Sequence, residues 1–147
     1  MKSKLRVGIL LNNYFITNWT YKMIEEINSS SYAEIVLIVK NDSKIKKKKK
    51  LDKLKSNFKS VLYIFYRKLD KLIFPNKISA FSLKDLKKLI SVDEIKVIPK
   101  KTKFRDIIEE EDLLKIKEYE VDVFIRMGFR ILSGKILKMA KYGIWSF

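Results

Sequence analysis

The chain has 147 residues, a length typical of one domain, and 47% of them are hydrophobic, enough to bury a core. It contains no cysteine, which excludes disulfides, thiolate metal sites and a cysteine nucleophile. It contains no histidine either, which excludes the commonest general base and the commonest metal ligand. We therefore expect no metal site, and any enzymatic chemistry has to do without two of the usual side chains.

The formal net charge is +16, which raises the question of a nucleic-acid partner. All but five of the 33 basic residues are lysines, however. Specific recognition of phosphates and bases favours arginine, because its guanidinium can donate two parallel hydrogen bonds. The lysine richness therefore favours a solvated basic surface over a specific nucleic-acid interface.

The first forty residues predict a strand, a helix and a second strand. The apolar run at Leu5–Leu11 is typical of a buried parallel strand, and residues 33–39 form a similar run. Between them, residues 12–18 have the composition of a polar turn, and Asn18 can cap a helix over residues 19–28. This order is the βαβ signature of an α/β sheet.

The middle of the chain is dominated by lysine. Residues 41–55 include an unbroken lysine run at 46–50, and like charges at this spacing predict a mobile loop. Helical spacing resumes over residues 57–74 and ends at Pro75. Residues 82–90 predict a further short helix.

The remaining segments alternate between strand and helix patterns. We expect strands at residues 94–98 and 121–127, a connection at 102–106, a helix at 109–118, a helix at 131–141, and a last strand beginning at Gly143. With the two earlier strands, this predicts one Rossmann-like, three-layer α/β/α domain over residues 1–147. Its sheet is expected to be mainly parallel and incomplete at the C-terminus.

The last third of the sequence, VDVFIRMGFRILSGKILKMAKYGIWSF, resembles the formyltransferase family, whose members use 10-formyltetrahydrofolate. The matching residues are Asp122, Val123–Ile125, Gly128, Ile131 with Leu132, Ile136 with Leu137, and Tyr142 with Gly143. The opening LRVGILLNNYFITNWTYKMIEEI, in which Trp19 and its helix replace a glycine-rich turn, resembles the same branch of that family.

The resemblance implies a reaction in which an amine attacks the formyl carbon of the folate cofactor. In the family, a histidine and an aspartate handle protons, and an amide side chain helps to hold the oxyanion. Ser146 stands at the position of that amide residue, and the histidine would follow Phe147. The chain is therefore expected to be the front part of such a protein and inactive alone. The remaining part would be absent or supplied as a separate chain.

The resemblance also suggests binding residues. The turn after the predicted strand at 121–127 would lie against 10-formyltetrahydrofolate through Gly128, Ile131, Leu132 and Ser133. Arg126 and Arg130 flank this turn, either as surface charges or as contacts to a carboxylate or phosphate of the substrate. By family analogy the amine acceptor would be an amino sugar or a sugar nucleotide.

Two alternatives remain open. A formyltransferase acting on aminoacyl-tRNA would use the basic segment at residues 44–50 towards its nucleic-acid substrate. A non-enzymatic basic module would use the lysine run and the aromatic helix at 57–74 on nucleic acid or an anionic membrane. The longest uncharged apolar stretch, residues 61–66, is too short to cross a bilayer, so we expect a cytoplasmic protein.

Overall fold

The structure is a computed structural model that describes residues 4–43, 61–73 and 79–146. The lysine run at 46–50, the two ends of the expected helix at 57–74, and Phe147 lie outside the described residues. The chain divides into one unit of residues 1–43 with 81–147 and a second unit of residues 44–80.

The strands and helices of the described residues are numbered in chain order. The strands are β1 (Leu5–Leu11), β2 (Phe15–Thr17), β3 (Ala33–Asn41), β4 (Leu83–Asp85), β5 (Glu94–Val97), β6 (Lys100–Lys101), β7 (Arg105–Ile107), β8 (Val123–Arg126), β9 (Ile131–Ser133) and β10 (Ile144–Ser146). The α-helices are α1 (Asn18–Ser29), α2 (Val61–Ile73) and α3 (Glu110–Lys117), and 3₁₀ turns cover Leu86–Lys88 and Lys135–Lys138.

Five strands form a central sheet in the order β10-β8-β1-β3-β5, and all neighbours in it are parallel. Counted along the chain, this is the order 3-2-1-4-5 of the doubly wound nucleotide-binding folds. The strand order reverses between β1 and β8, so a crevice is expected outside the carboxyl ends of these two strands. The α/β fold with a mainly parallel sheet, expected from the sequence, is confirmed.

The sheet is buried on both faces. On one face, Ile9 of β1 packs in a cluster with Ile24 of α1. On the other, Leu10 of β1 packs in a cluster with Leu113 and Ile116 of α3. The helices therefore cover opposite faces and produce three layers. Gly8 of β1 is required by this packing, since a Cβ there would collide with the ring of Phe124 in β8.

Five local expectations from the sequence are wrong. Residues 12–18 contain a strand, β2, which pairs antiparallel with β4, so residues 83–85 are extended rather than helical. Residues 102–106 contain the start of β7, which pairs with β6 and, in parallel, with β9. Residues 131–141 therefore begin as a strand, and Gly134, with φ of +88°, separates that strand from a 3₁₀ turn. Helix α1 begins at Asn18 itself, which places Thr17 at the capping position.

The second unit contributes one described element, helix α2. It lies within the expected helical range of 57–74, and every apolar or aromatic side chain described in it is exposed. No helix among the described parts of the chain is long and apolar enough to cross a membrane.

Candidate functional site

A cavity of about 460 Å³ lies at the switch point of the sheet, outside the carboxyl ends of β1 and β8. Its walls come from the segment after β1, the first turn of α1, the start of β4, and the turn that leaves β8. The lining residues are Asn12, Asn13, Phe15, Ile16, Thr17, Trp19, Thr20, Phe81, Leu83, Arg126, Met127, Gly128 and Phe129. We call this cavity the switch-point cleft.

Gly128 brings the turn after β8 against the backbone that leaves β1. A Cβ at this position would collide with the backbone nitrogen of Asn12 and would lie 2.7 Å from the carbonyl carbon of Leu11. The Asn12 side chain also holds the turn, because its Oδ1 accepts a hydrogen bond of 2.9 Å from the backbone N–H of Phe129. Phe129 itself has a left-handed φ of +65°. Only glycine at 128 allows the two segments to approach this closely.

Arg130 anchors the far end of the same turn. Its backbone N–H and its Nε each donate a hydrogen bond of 2.9 Å to the carboxylate of Asp106, and Nη2 lies 2.8 Å from that carboxylate. The Asp106 side chain is 1% exposed. The remaining guanidinium hydrogens are donated to the carbonyl oxygens of Thr102, Lys103 and Arg105. The Arg130 side chain therefore supports the cleft wall, with its donors directed at the protein itself.

Arg126 lies in the cleft wall. Its Nη1 donates a hydrogen bond of 2.6 Å to the carbonyl oxygen of Arg130, which fixes the side chain at one point. The first turn of α1 faces the same cavity through Trp19 and Thr20, and the Thr17 and Thr20 hydroxyl oxygens are 2.6 Å apart. A helix N-terminus carries partial positive charge. Since none of the residues that line the cavity is acidic, this end of the cleft suits an anionic group.

The structure brings some of the sequence-predicted site residues together and separates others. Gly128 and Arg126 line the cleft. Ile131, Leu132 and Ser133 lie on β9, beyond the turn, and Leu132 is buried in the core. Ser146 pairs with Arg126 in the sheet register, so it lies at the carboxyl edge one strand further from β1, outside the residues that line the cleft.

Other residues of the cleft are not predicted as site residues by the sequence. Asn12 and Asn13 carry a local signal, since two amides follow a buried strand at its carboxyl end. Phe81 and Leu83 carry none, because they reach the cleft through the pairing of β2 with β4. The sequence indicates Trp19 only as the substitute for a glycine-rich turn.

No described side chain near the cleft stands out as a general base. Burial, followed by the hydrogen bond to Glu94, raises the pKa of Tyr14, so its hydroxyl stays protonated in the neutral range. Among the described residues, no group of acidic side chains is arranged to hold a metal ion. The chemistry that this cleft supplies directly is binding by amides, hydroxyls, aromatic rings and one guanidinium.

The chain matches no protein-family model, no curated protein and no solved structure.

Proposed function

We propose that this chain is a formyltransferase-like domain and that its switch-point cleft binds 10-formyltetrahydrofolate. One observation carries the proposal: Gly128 lines the wall of the cleft formed by β8 and its following turn, which is the turn that the family resemblance assigns to the folate. The cleft also lies at the switch point of the sheet, where open α/β folds bind their ligands.

The lining of the cleft suits a folate. Its volume of about 460 Å³ lies within the usual range for small-molecule sites. The rings of Trp19 and Phe129 offer apolar faces for a flat bicyclic ring. The Asn12 and Asn13 amides offer donors and acceptors for its polar edge. Arg126 supplies a positive charge for a carboxylate of the cofactor or a phosphate of the acceptor.

Formyl transfer also needs a group that accepts the proton of the attacking amine. The sequence contains no histidine to do this. Ser146 stands where the family has an amide residue, and its hydroxyl could donate a hydrogen bond to an oxyanion but is a poor base near neutral pH. We therefore propose that these 147 residues supply cofactor binding, in the cytoplasm, for transfer to an amine such as an amino sugar. Proton transfer would depend on groups outside this sequence.

The two tryptophans give a direct binding assay. Trp19 lines the cleft, whereas Trp145 is exposed on β10. In a Trp145→Phe variant, titration with 10-formyltetrahydrofolate should quench the remaining fluorescence of Trp19 saturably. In the matched Trp19→Phe variant, only Trp145 fluoresces. Its fluorescence should fall no more than linearly with added folate, because the folate itself absorbs light. Equal behaviour of the two variants would refute binding in this cleft.

A pair of arginine variants tests the charged end of the cleft. Arg126→Ala should weaken folate binding about ten-fold, which corresponds to about 1.4 kcal/mol. Arg105→Ala removes an equally charged side chain from β7, outside the cleft lining, and should leave binding unchanged. Equal losses in the two variants would show that only the overall charge of the chain matters.

A further inference from the structure

Helix α2 is amphipathic. With 3.6 residues per turn, seven of its apolar and aromatic residues occupy an arc of about 140°, and Ile64 and Tyr63 lie outside this arc. The residues of this apolar arc are Val61, Leu62, Phe65, Tyr66, Leu69, Leu72 and Ile73. Arg67 lies opposite the centre of this arc and Asp70 lies outside it. Lys68 borders the arc beside Val61. A stripe of this width is what a helix normally uses to pack against an apolar partner.

The apolar arc of α2 is exposed. Leu62 is 87% exposed, Leu72 is 77% exposed, and the other residues of the arc also belong to the exposed class. The other two helices behave differently, since α1 buries Ile24 and α3 buries Leu113 and Ile116. Contiguous apolar surface of this kind marks an interaction site.

The charges of the helix indicate the occupant. Arg67 lies opposite the apolar arc and Lys68 borders it. Asp70 is the one acidic residue of the helix, and the whole chain carries a net charge of +16. A second copy of this chain would bring the same excess of positive charge. A nucleic acid would match the charge, but five of the seven residues of the arc are aliphatic and cannot stack on bases as aromatic rings do. A surface that is both apolar and anionic can contact the apolar arc and the basic side chains of α2 at the same time.

We propose that α2 docks on an anionic lipid bilayer, with its apolar arc at the acyl boundary and Arg67 and Lys68 against the headgroups. Its 13 residues span only about 20 Å, too short to cross the hydrocarbon core, so the helix lies in the interface. Tyr66 lies at the edge of the apolar arc, where amphipathic aromatic rings prefer the headgroup level. This proposal is independent of the folate site.

Sedimentation of the full chain with lipid vesicles tests the proposal. The chain should bind vesicles of phosphatidylserine and phosphatidylcholine in equal parts at least ten-fold more tightly than vesicles of phosphatidylcholine alone. Leu62→Ser with Leu69→Ser should reduce that binding at least ten-fold. The matched control, Leu114→Ser with Leu137→Ser, removes two exposed leucines outside α2 and should bind like the parent chain.

A second measurement does not depend on losing binding. Phe65→Trp, made in a chain in which both native tryptophans are phenylalanine, should shift its emission to the blue on anionic vesicles and be quenched by lipids brominated on their acyl chains. The proposal is overturned if the fluorescence of Phe65→Trp is not quenched by the brominated lipids. It is also overturned if the variant with Leu62→Ser and Leu69→Ser binds vesicles as well as the control with Leu114→Ser and Leu137→Ser. That result is expected if the lysine run at 46–50 alone binds the vesicles. Self-association or nucleic-acid binding that depends on Leu62 and Leu69, without vesicle binding, would overturn it as well.

Discussion

Replacing Gly128 by alanine should destabilise the chain and close the switch-point cleft. The added Cβ would meet the backbone nitrogen of Asn12 and would lie 2.7 Å from the carbonyl carbon of Leu11. Carbon atoms in contact are normally about 3.5–4.0 Å apart. The neighbours are backbone atoms of the central strand β1 and the residue after it, so they cannot rotate away as a side chain would. The turn after β8 has to move instead.

The cost follows from two contributions. Overpacking against a rigid neighbour costs about 1–3 kcal/mol. Displacing the turn also weakens the hydrogen bond between Asn12 Oδ1 and the N–H of Phe129, at about 1 kcal/mol. We therefore expect Gly128→Ala to lower the free energy of unfolding by about 2–4 kcal/mol. The same displacement should abolish the quenching of Trp19 by 10-formyltetrahydrofolate.

Gly143 provides the matched control. It has a left-handed φ of +75°, but apart from its own chain neighbours no described atom lies within 4 Å of the point that a Cβ would occupy, so Gly143→Ala meets conformational strain alone, about 1–2 kcal/mol. Urea unfolding of both variants, followed by tryptophan fluorescence and circular dichroism, measures the difference. With a slope of about 2 kcal/mol per molar urea, about 3 kcal/mol moves the midpoint by about 1.5 M. If Gly128→Ala costs no more than Gly143→Ala, close backbone approach is not the reason for glycine at 128.

Three further outcomes are expected. Asp106→Asn should lower the free energy of unfolding by about 2 kcal/mol, because it weakens the buried carboxylate that anchors the half-exposed Arg130. The control, Glu110→Gln, breaks an exposed ion pair and should change the free energy of unfolding by less than about 0.5 kcal/mol in the same urea assay. The pKa of Tyr14 is raised in the folded state, so its hydroxyl stays protonated there at pH values at which the tyrosine of the unfolded chain, with its usual pKa of about 10, ionises. The contribution of Tyr14 to stability is therefore present below about pH 10 and is lost as pH rises further. Tyr14→Phe, which also removes the hydrogen bond to Glu94, should show a shallower loss of stability above about pH 10. Incubation of the chain with 10-formyltetrahydrofolate and a panel of amino-sugar nucleotides should yield no formylated product above the uncatalysed rate, and clear turnover would show that a histidine is not needed.

The main sheet could be predicted because its strands carry their own signal. Within the run at Leu5–Leu11, residues Val7–Leu11 are apolar and buried, since β1 lies at the centre of the sheet with both faces covered. Helix α3 could be predicted because its first turn, Glu110–Asp112, is acidic and suits the helix dipole. In both cases the residues themselves, rather than a distant partner, determine the local structure.

The short strands could not be predicted in this way. β2 and β4 have three residues each and pair Phe15 with Asp85, so neither segment shows a period of its own. β7 and β9 pair Arg105 with Ile131 and escape prediction for the same reason. The unpredicted pairing of β7 with β9 also affects the prediction of the site. From the sequence, Arg130 beside a glycine turn resembles a substrate contact, whereas in the structure it binds the buried Asp106.

The small sheet of β6, β7 and β9 explains how the cleft wall is held. Phe129 adopts a left-handed φ that costs a non-glycine residue about 1–2 kcal/mol, so the turn needs support from elsewhere. The Asn12 side chain supports it from the end of β1, and Asp106 of β7 supports it through the backbone and side chain of Arg130. A turn fixed from two sides loses little further freedom when a ligand arrives, which favours binding. The pairing of β7 with β9 therefore belongs to the construction of the site, since it places a buried carboxylate where the turn needs an anchor.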